Sequence, residues 1–307
     1  LAVASAAIPA ACAGCGSSSP PAATHRAAQV SPAQVSPAQV SPARAHTYTT
    51  TVVGQRVVQP APRPRARAAT ATTAAPESKV TASPTTAPLA GKVVGIDPGH
   101  NGNNYTDPTF LNHLIWNGRA QETCDTTGTE TDGGYSEARF NFSVATFLTA
   151  DLRAEGAKVV LTRTSNSGVG PCVTTRAQII DRAHAGVAID IHADGGPPGG
   201  RGFTVLEPVA DGPNDRVIGA SKTFGRDLLQ SYRAVTGMPL STYDGVGGIA
   251  LRTDLAGLNL TTVPKVLIEC GNMRNATDAS LLVSTSFQRL AAKAFARAIT
   301  RYLTAGG

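Results

Sequence analysis

The chain has 307 residues, 41% hydrophobic and 5% aromatic, with 27 basic and 21 acidic side chains and a formal net charge of +6. Residues 1–90 carry seven of those basic residues against one acid, Glu77, while residues 91–307 carry 20 of each sign. The basic balance is thus a property of a tail and gives no ground for a nucleic-acid-binding domain, and the remainder is long enough for one domain with its own core.

The first segment, Leu1–Ala11, is small and apolar and reads as the end of a signal-peptide hydrophobic region, which predicts export. Cys12 and Cys15 follow. Ala13-Gly14-Cys15 has the small-small-Cys form of a bacterial lipobox, and Pro9 makes Cys12 the poorer candidate. Two readings stay open: lipidation of Cys15, anchoring the protein to the outer face of a membrane, and cleavage with simple secretion. Residues 16–90 form an Ala/Pro/Thr-rich basic linker in which AQVSP recurs three times over 28–42. Such a composition cannot bury enough apolar surface to fold and predicts an extended spacer. Its Pro-Arg-Pro-Arg-Ala-Arg run (62–67) reads as a solvated charge run; attraction to an anionic lipid or polymer is the sharper alternative. After the N-terminus no apolar stretch reaches the roughly 18 residues that a membrane span needs.

Residues 91–307 alternate strand and helix patterns. Apolar runs at Lys92–Ile96, Lys158–Leu161, Val187–Ile191 and Lys265–Ile268 predict four buried strands. Between them Ser136–Glu155 carries Phe140, Val144, Phe147, Leu148 and Leu152 at helical spacing, with Ser136 as N-cap and Gly156 as stop. Further helices are predicted over Thr174–His184, Asp215–Val235 and Ser286–Leu303. This order predicts a single α/β domain around a mostly parallel sheet, in which ligands bind at the carboxyl ends of the strands.

Ionisable residues fall at those ends. His100, His192 and Glu269 each follow a predicted strand, and Glu137 opens the first long helix on its inward stripe. Two imidazoles and one carboxylate form the ligand set of a catalytic zinc site with a position left for water. His100, Glu137 and His192 are the predicted ligands, one zinc ion per domain; taken singly, a His at a strand end is more often a hydrogen-bonded structural residue, and a Glu in a first turn a complement to the helix dipole. Glu269 is the predicted base that takes the proton of that water.

The words around these residues are specific. GKVVGIDPGHNG, Ser136-Glu137, AIDIHADGG and VPKVLIECGNMRN resemble the zinc-dependent N-acetylmuramoyl-L-alanine amidases of the amidase-3 family, most of all its compact actinobacterial branch. His100, Glu137, His192 and Glu269 stand in family order at intervals of 37, 55 and 77 residues, and LTRT (161–164), Arg176 and DLAGLNL (254–260) also fit. The resemblance implies a twisted six-stranded sheet flanked by helices, and hydrolysis of the amide between the lactyl group of N-acetylmuramic acid and L-alanine in peptidoglycan. The partners expected are muropeptides, with no nucleic acid, and the domain is expected to be a monomer on the cell-wall side. Two rivals are weighed beside it: a zinc peptidase cutting within stem peptides, and a wall-binding protein that keeps the fold without catalysis. Glu269, which binding alone would not need, counts against the latter.

Two departures from the family pattern are Asp190, where a small residue is usual, and Cys270, where an apolar one is. Asp190 is expected to point away from His192; a bond to that imidazole is the alternative. Cys270 is expected to be an inert core thiol. Cys124 and Cys172 are expected to form a disulfide tying the 101–135 loop to the helix that begins near Val173; cysteine ligation of zinc is set aside for want of a histidine nearby. Arg252 is the candidate substrate-binding residue, a bidentate partner for a stem-peptide carboxylate, with an ordinary ion pair to Asp254 as the plain alternative. His113 reads as a solvated loop residue, His184 as structural at a helix end, and Trp116 as a local anchor; lining of the cleft by His113 and stacking of Trp116 on sugar are the sharper alternatives.

Overall fold

The computed structural model describes residues 87–306; the expectations for Cys15, the repeats and the Arg/Pro run lie outside them. Six strands, β4 (Lys158–Leu161), β1 (Val93–Pro98), β5 (Val187–Asp194), β8 (Lys265–Asn272), β6 (Thr204–Pro208) and β7 (Ile249–Arg252), form one sheet in that order. β1, β4, β5 and β8 run parallel. β6 is antiparallel to β8, and β7 parallel to β6. The long connection after β1 holds a short helix, α1 (Pro108–Asn112), and a hairpin of β2 (Leu114–Trp116) and β3 (Gln121–Thr123).

The two faces of the sheet are packed unequally. Alternation sends Val187, Ile189, Ile191 and Ala193 of β5, and Val266, Ile268 and Cys270 of β8, to one face, where all are buried in the main core. Three long amphipathic helices cover that face: α2 (Glu137–Ala154), α4 (Ile218–Thr236) and α7 (Thr285–Thr304). Their core residues include Phe140, Leu148, Phe224, Tyr232 and Phe295, and the Tyr232 and Phe295 rings stack 5.4 Å apart. Cys270 is one of these core residues, fully buried, and burial holds its thiol pKa well above the usual value. Leu89 joins the same core and donates its N–H to the Glu155 carbonyl at 2.9 Å.

The opposite face carries Ala188, Asp190, His192 and Asp194 of β5 and Lys265, Leu267 and Glu269 of β8. It is covered only in part, by α3 (Val173–Arg182) and the short α5 (Ala256–Asn259), through small clusters around Ile180 and Leu258. A last helix, α6 (Ala276–Leu282), links β8 to α7. Among the described residues no helix is long and apolar enough to cross a membrane.

The core sets the stability. Phe295 has no exposed surface, so Phe295→Ala should cost about 3–5 kcal/mol through lost transfer energy and the cavity left behind. Urea denaturation checks this; an unchanged midpoint would mean that the α4–α7 packing is not what holds the main core together.

Candidate metal centre and its cleft

The four predicted site residues come together at the carboxyl edge of β1, β5 and β8. His100 leaves β1 with φ 55, a left-handed conformation uncommon for a residue with a side chain. Two buried guanidiniums hold the turn. Arg163 donates to the carbonyls of Pro98 (2.8 Å) and Gly99 (3.1 Å), and Arg176 to those of Pro98 (2.8 Å) and His100 (2.9 Å). Gly99 must be glycine, since a Cβ there would lie 2.2 Å from the His192 ring.

Glu137 opens α2 behind the cap Ser136, where a carboxylate also complements the helix dipole. Its side chain is buried and faces both imidazoles: Oε1 lies 2.8 Å from His192 Nδ1, and Oε2 lies 3.3 Å from His100 Nε2. The backbone N–H of Thr129 donates to Oε2 at 3.0 Å, and that of Ala193 to Oε1 at 3.3 Å. The imidazole rings stand nearly perpendicular, centroids 4.9 Å apart, and the three donor atoms all lie within 4.8 Å of one another. Glu269 is the cross-strand neighbour of His192. His192 and Glu269 sit within β5 and β8, which run further than their apolar segments suggest. Glu269 Oε2 is buried with no hydrogen-bond partner.

Charge at the site is governed by burial and by crowding. Burial opposes a charge on His100, yet Glu137 and Asp125 outweigh it and raise its pKa to about 9. Burial likewise opposes charge on His192, and Asp190 and Glu137 overcome it to raise its pKa well above the usual value. Glu137 is driven well below the carboxylate range by the imidazoles despite its burial. Glu269 moves the other way, to about 8: burial raises it, His192 opposes, and the Glu137 and Asp194 carboxylates add to the rise. Carboxylates that raise the pKa of two buried imidazoles mark a place that favours positive charge, and two nitrogen donors with one oxygen donor suit zinc.

A buried run of alternating charges lies under the site. From His100 Nδ1 it passes to Asp125 (3.2 Å), Arg176 (3.2 Å), Asp97 (3.1 Å), Lys265 (2.7 Å), Asp190 (3.3 Å) and His192 Nε2 (3.2 Å). Asp190 thus faces His192, against the expectation that it points away. Residues two apart on a strand share a face, and β5 is regular up to His192. Asp125, Asp97 and Lys265 were not singled out from sequence. The available signal was a Lys at the start of one segment read as a buried strand and an Asp directly after another, where an unpaired charge is prohibitive.

A cleft of about 510 Å³ is lined by His100, Glu137, His192 and Glu269 and also by Leu206 and Arg252. Arg252 ends β7, and the register places it four positions along from the level of Glu269, roughly 13 Å at the strand rise. It forms a bidentate pair with Asp254, both contacts 2.7 Å, as the plain alternative has it. Cys124 and Cys172 are buried free thiols brought side by side. Cys172 begins α3 and its thiol lies 3.2 Å from the Cys124 carbonyl, while Val173 N–H donates to that carbonyl at 2.9 Å. A histidine does accompany the pair, contrary to expectation: His113 Nε2 is 3.9 Å from Cys172 Sγ. The loop that follows β1 folds back, so neighbours in space are 59 residues apart in sequence. Trp116 and His113 stay at the exposed hairpin and helix end, away from the four converging groups.

The α/β domain thus gathers at its sheet edge a His/Glu/His donor set that could hold a metal ion, beside a carboxylate with no hydrogen-bond partner on one oxygen. The chain belongs to the Amidase_3 family, described as N-acetylmuramoyl-L-alanine amidase, which matches residues 94–301, and so to a class of peptidoglycan-cleaving enzymes. It is 37% identical over 228 residues to the N-acetylmuramoyl-L-alanine amidase Rv3717 of Mycobacterium tuberculosis, covering 74% of this chain and 92% of that protein. Crystal structures of the amidase Ami1 are similar too. That from Mycobacterium smegmatis has TM-score 0.67 and 37% identity, covering 71% of this chain and 99% of the other. The apo form from Mycobacterium abscessus has TM-score 0.66 and 38% identity, covering 70% and 100%.

Arg176 bonds two buried aspartates and two carbonyls of the His100 turn. Arg176→Ala strands Asp97 and Asp125 without one of their cations and should cost about 3–5 kcal/mol, read as a lower urea midpoint. A variant as stable as the parent would show that the run of charges is not paired in solution.

Proposed function

We propose that the chain hydrolyses the amide between the lactyl group of N-acetylmuramic acid and the L-alanine of the stem peptide, using one zinc ion held by His100, Glu137 and His192. The observation that carries this is the convergence of those three donors with a fourth, unpartnered carboxylate in one cleft. Zinc held by these donors would supply polarisation of a carbonyl and acidification of a water. Glu137 balances the charge with one oxygen toward each imidazole. Glu269 is the general base: it takes the proton of the attacking water and delivers it to the leaving nitrogen as the carbon–nitrogen bond breaks. Its raised pKa suits a group that must both take up and give back a proton near neutrality.

Arg252, further along the cleft, reads a stem-peptide carboxylate by exchanging its partner Asp254 for the substrate. Residues 91–307 are the catalytic domain of an exported, monomeric enzyme carried on the 16–90 linker, with lipidation of Cys15 and simple secretion both still open. In that oxidising setting Cys124 and Cys172 close into a disulfide that staples the 101–135 loop to α3.

Mass analysis of the products from peptidoglycan fragments tests the reaction. Lactyl-bearing sugar plus intact stem peptide is expected, abolished by chelator and restored by zinc. Cleavage inside the peptide would instead make the enzyme a zinc peptidase, and no cleavage a binding protein. Glu269→Gln should keep zinc and lose roughly two to four orders of magnitude in turnover; loss of zinc from that variant would make Glu269 a ligand. Thiol titration of the exported domain, unfolded without reductant, should find one reactive thiol, Cys270. Three would mean that Cys124 and Cys172 stay free.

A further inference from the structure

The net charge of residues 91–307 is zero, yet it is unevenly spread. The three helices that seal one face of the sheet, α2, α4 and α7, carry nine of the 20 basic residues and three of the 20 acidic ones, among them the buried Glu137. α7 is the extreme case. Its 20 residues include no acid, and Arg289, Lys293, Arg297 and Arg301 recur at every fourth position on its exposed side. Like charges at that spacing repel one another along a helix, so the stripe costs the fold and gains little within it. Among the described residues Arg301 pairs with Asp227 at 3.0 Å and Arg289 lies over Phe147, 4.1 Å from the ring centroid, while Lys293 and Arg297 form no salt bridge. The four cations extend over about 18 Å at the helical rise, and Leu290, 41% exposed, stands beside them.

We infer that this helical face is a docking surface for an anionic phospholipid bilayer. The sheet separates it from the cleft, which opens on the opposite face, so the docked domain turns the cleft away from the lipid. The chain enters the domain on the docking side: Leu89 donates its N–H to the Glu155 carbonyl, and Glu155 borders the groove between α2 and α7. Residues 1–90 are not the occupant, because they are themselves basic, seven cations against one acid. A flat leaflet fits better than a linear polyanion laid in the groove. Asp151 and Glu155 both border that groove, whereas the exposed side of α7 offers cations and no acid. The surface shares no residue with the metal centre, so its test does not depend on the reaction.

Full-length protein is sedimented with vesicles of mixed phosphatidylglycerol and phosphatidylcholine, and with vesicles of phosphatidylcholine alone. Binding to the anionic vesicles only is expected, with release by salt. One cation near an anionic leaflet is worth roughly a five-fold change in partitioning, so Arg289→Gln/Lys293→Gln/Arg297→Gln should weaken binding by about 100-fold. Should that variant not fold, Lys293→Gln/Arg297→Gln decides, with an expected loss of about 25-fold. Orientation has its own readout. Trp116 is the chain's single tryptophan. It is exposed on the β2–β3 hairpin, where the Asn117 carbonyl accepts from Asn259 of α5, on the cleft face, at 2.9 Å. In the bound protein its fluorescence should stay open to acrylamide in the water and unquenched by brominated lipid. Quenching by brominated lipid would put the cleft face on the membrane and overturn the inference. So would a folded α7 variant that binds like the parent, equal binding to the uncharged vesicles, or binding to soluble polyphosphate without binding to vesicles.

Discussion

Four carboxylates, Asp97, Asp125, Glu137 and Asp190, are buried within one edge of a sheet, and the rest of the site follows from pairing them there. A buried carboxylate without a partner either takes up a proton or destabilises the fold. Here each has a cationic or imidazole neighbour supplied by a different element: Arg176 from α3, Lys265 from the start of β8, His100 from the turn after β1, His192 from β5. The helices and strands are thus tied by charge as well as by apolar packing. Arg176, which pairs with two of the aspartates, also bonds the carbonyls of the His100 turn, whose His100 is left-handed.

Alternation along two strands separates chemistry from packing. On β8, Glu269 faces the cleft while Cys270 faces the core, one residue apart and with opposite fates. On β5, Asp190 and His192 share one face, and Ile189 and Ile191 are buried on the other. This half of the site was legible in the sequence, because buried parallel strands write themselves as apolar runs and the site residues sit at their carboxyl ends. The inward stripe of α2 likewise placed Glu137. Applying the same alternation to Asp190 would have placed it beside His192.

What was not legible depends on contacts between distant segments. β7 buries only Ala250 of its four residues, so it carries no apolar signature. The β2–β3 hairpin lies in a polar stretch with exposed Leu114 and Trp116. Asp125 belongs to the same stretch and reaches the site only because the Cys124 carbonyl bonds the first N–H of α3, which brings Arg176 within reach. Lys265 and Asp97 are 168 residues apart, and no local pattern announces a pair that forms across a sheet.

The unequal covering of the sheet explains why there is a cleft at all. One face is sealed by α2, α4 and α7, whose apolar residues are almost wholly buried. The other is met only by α3 and the four-residue α5, so the surface of β5, β8 and β6 between them stays open and is bounded by Leu206, Leu267 and Arg252. A long third helix on that side would bury more apolar area and close the space. Leaving it short exposes a groove lined at one end by His192 and Glu269 and, four register positions along the strands, by Arg252. The orientation of the groove is set by strand direction, since only the parallel strands bring their carboxyl ends to that edge. β6, being antiparallel, contributes its first residue, Thr204, opposite Glu269 and carries the groove away from the site toward the end of β7.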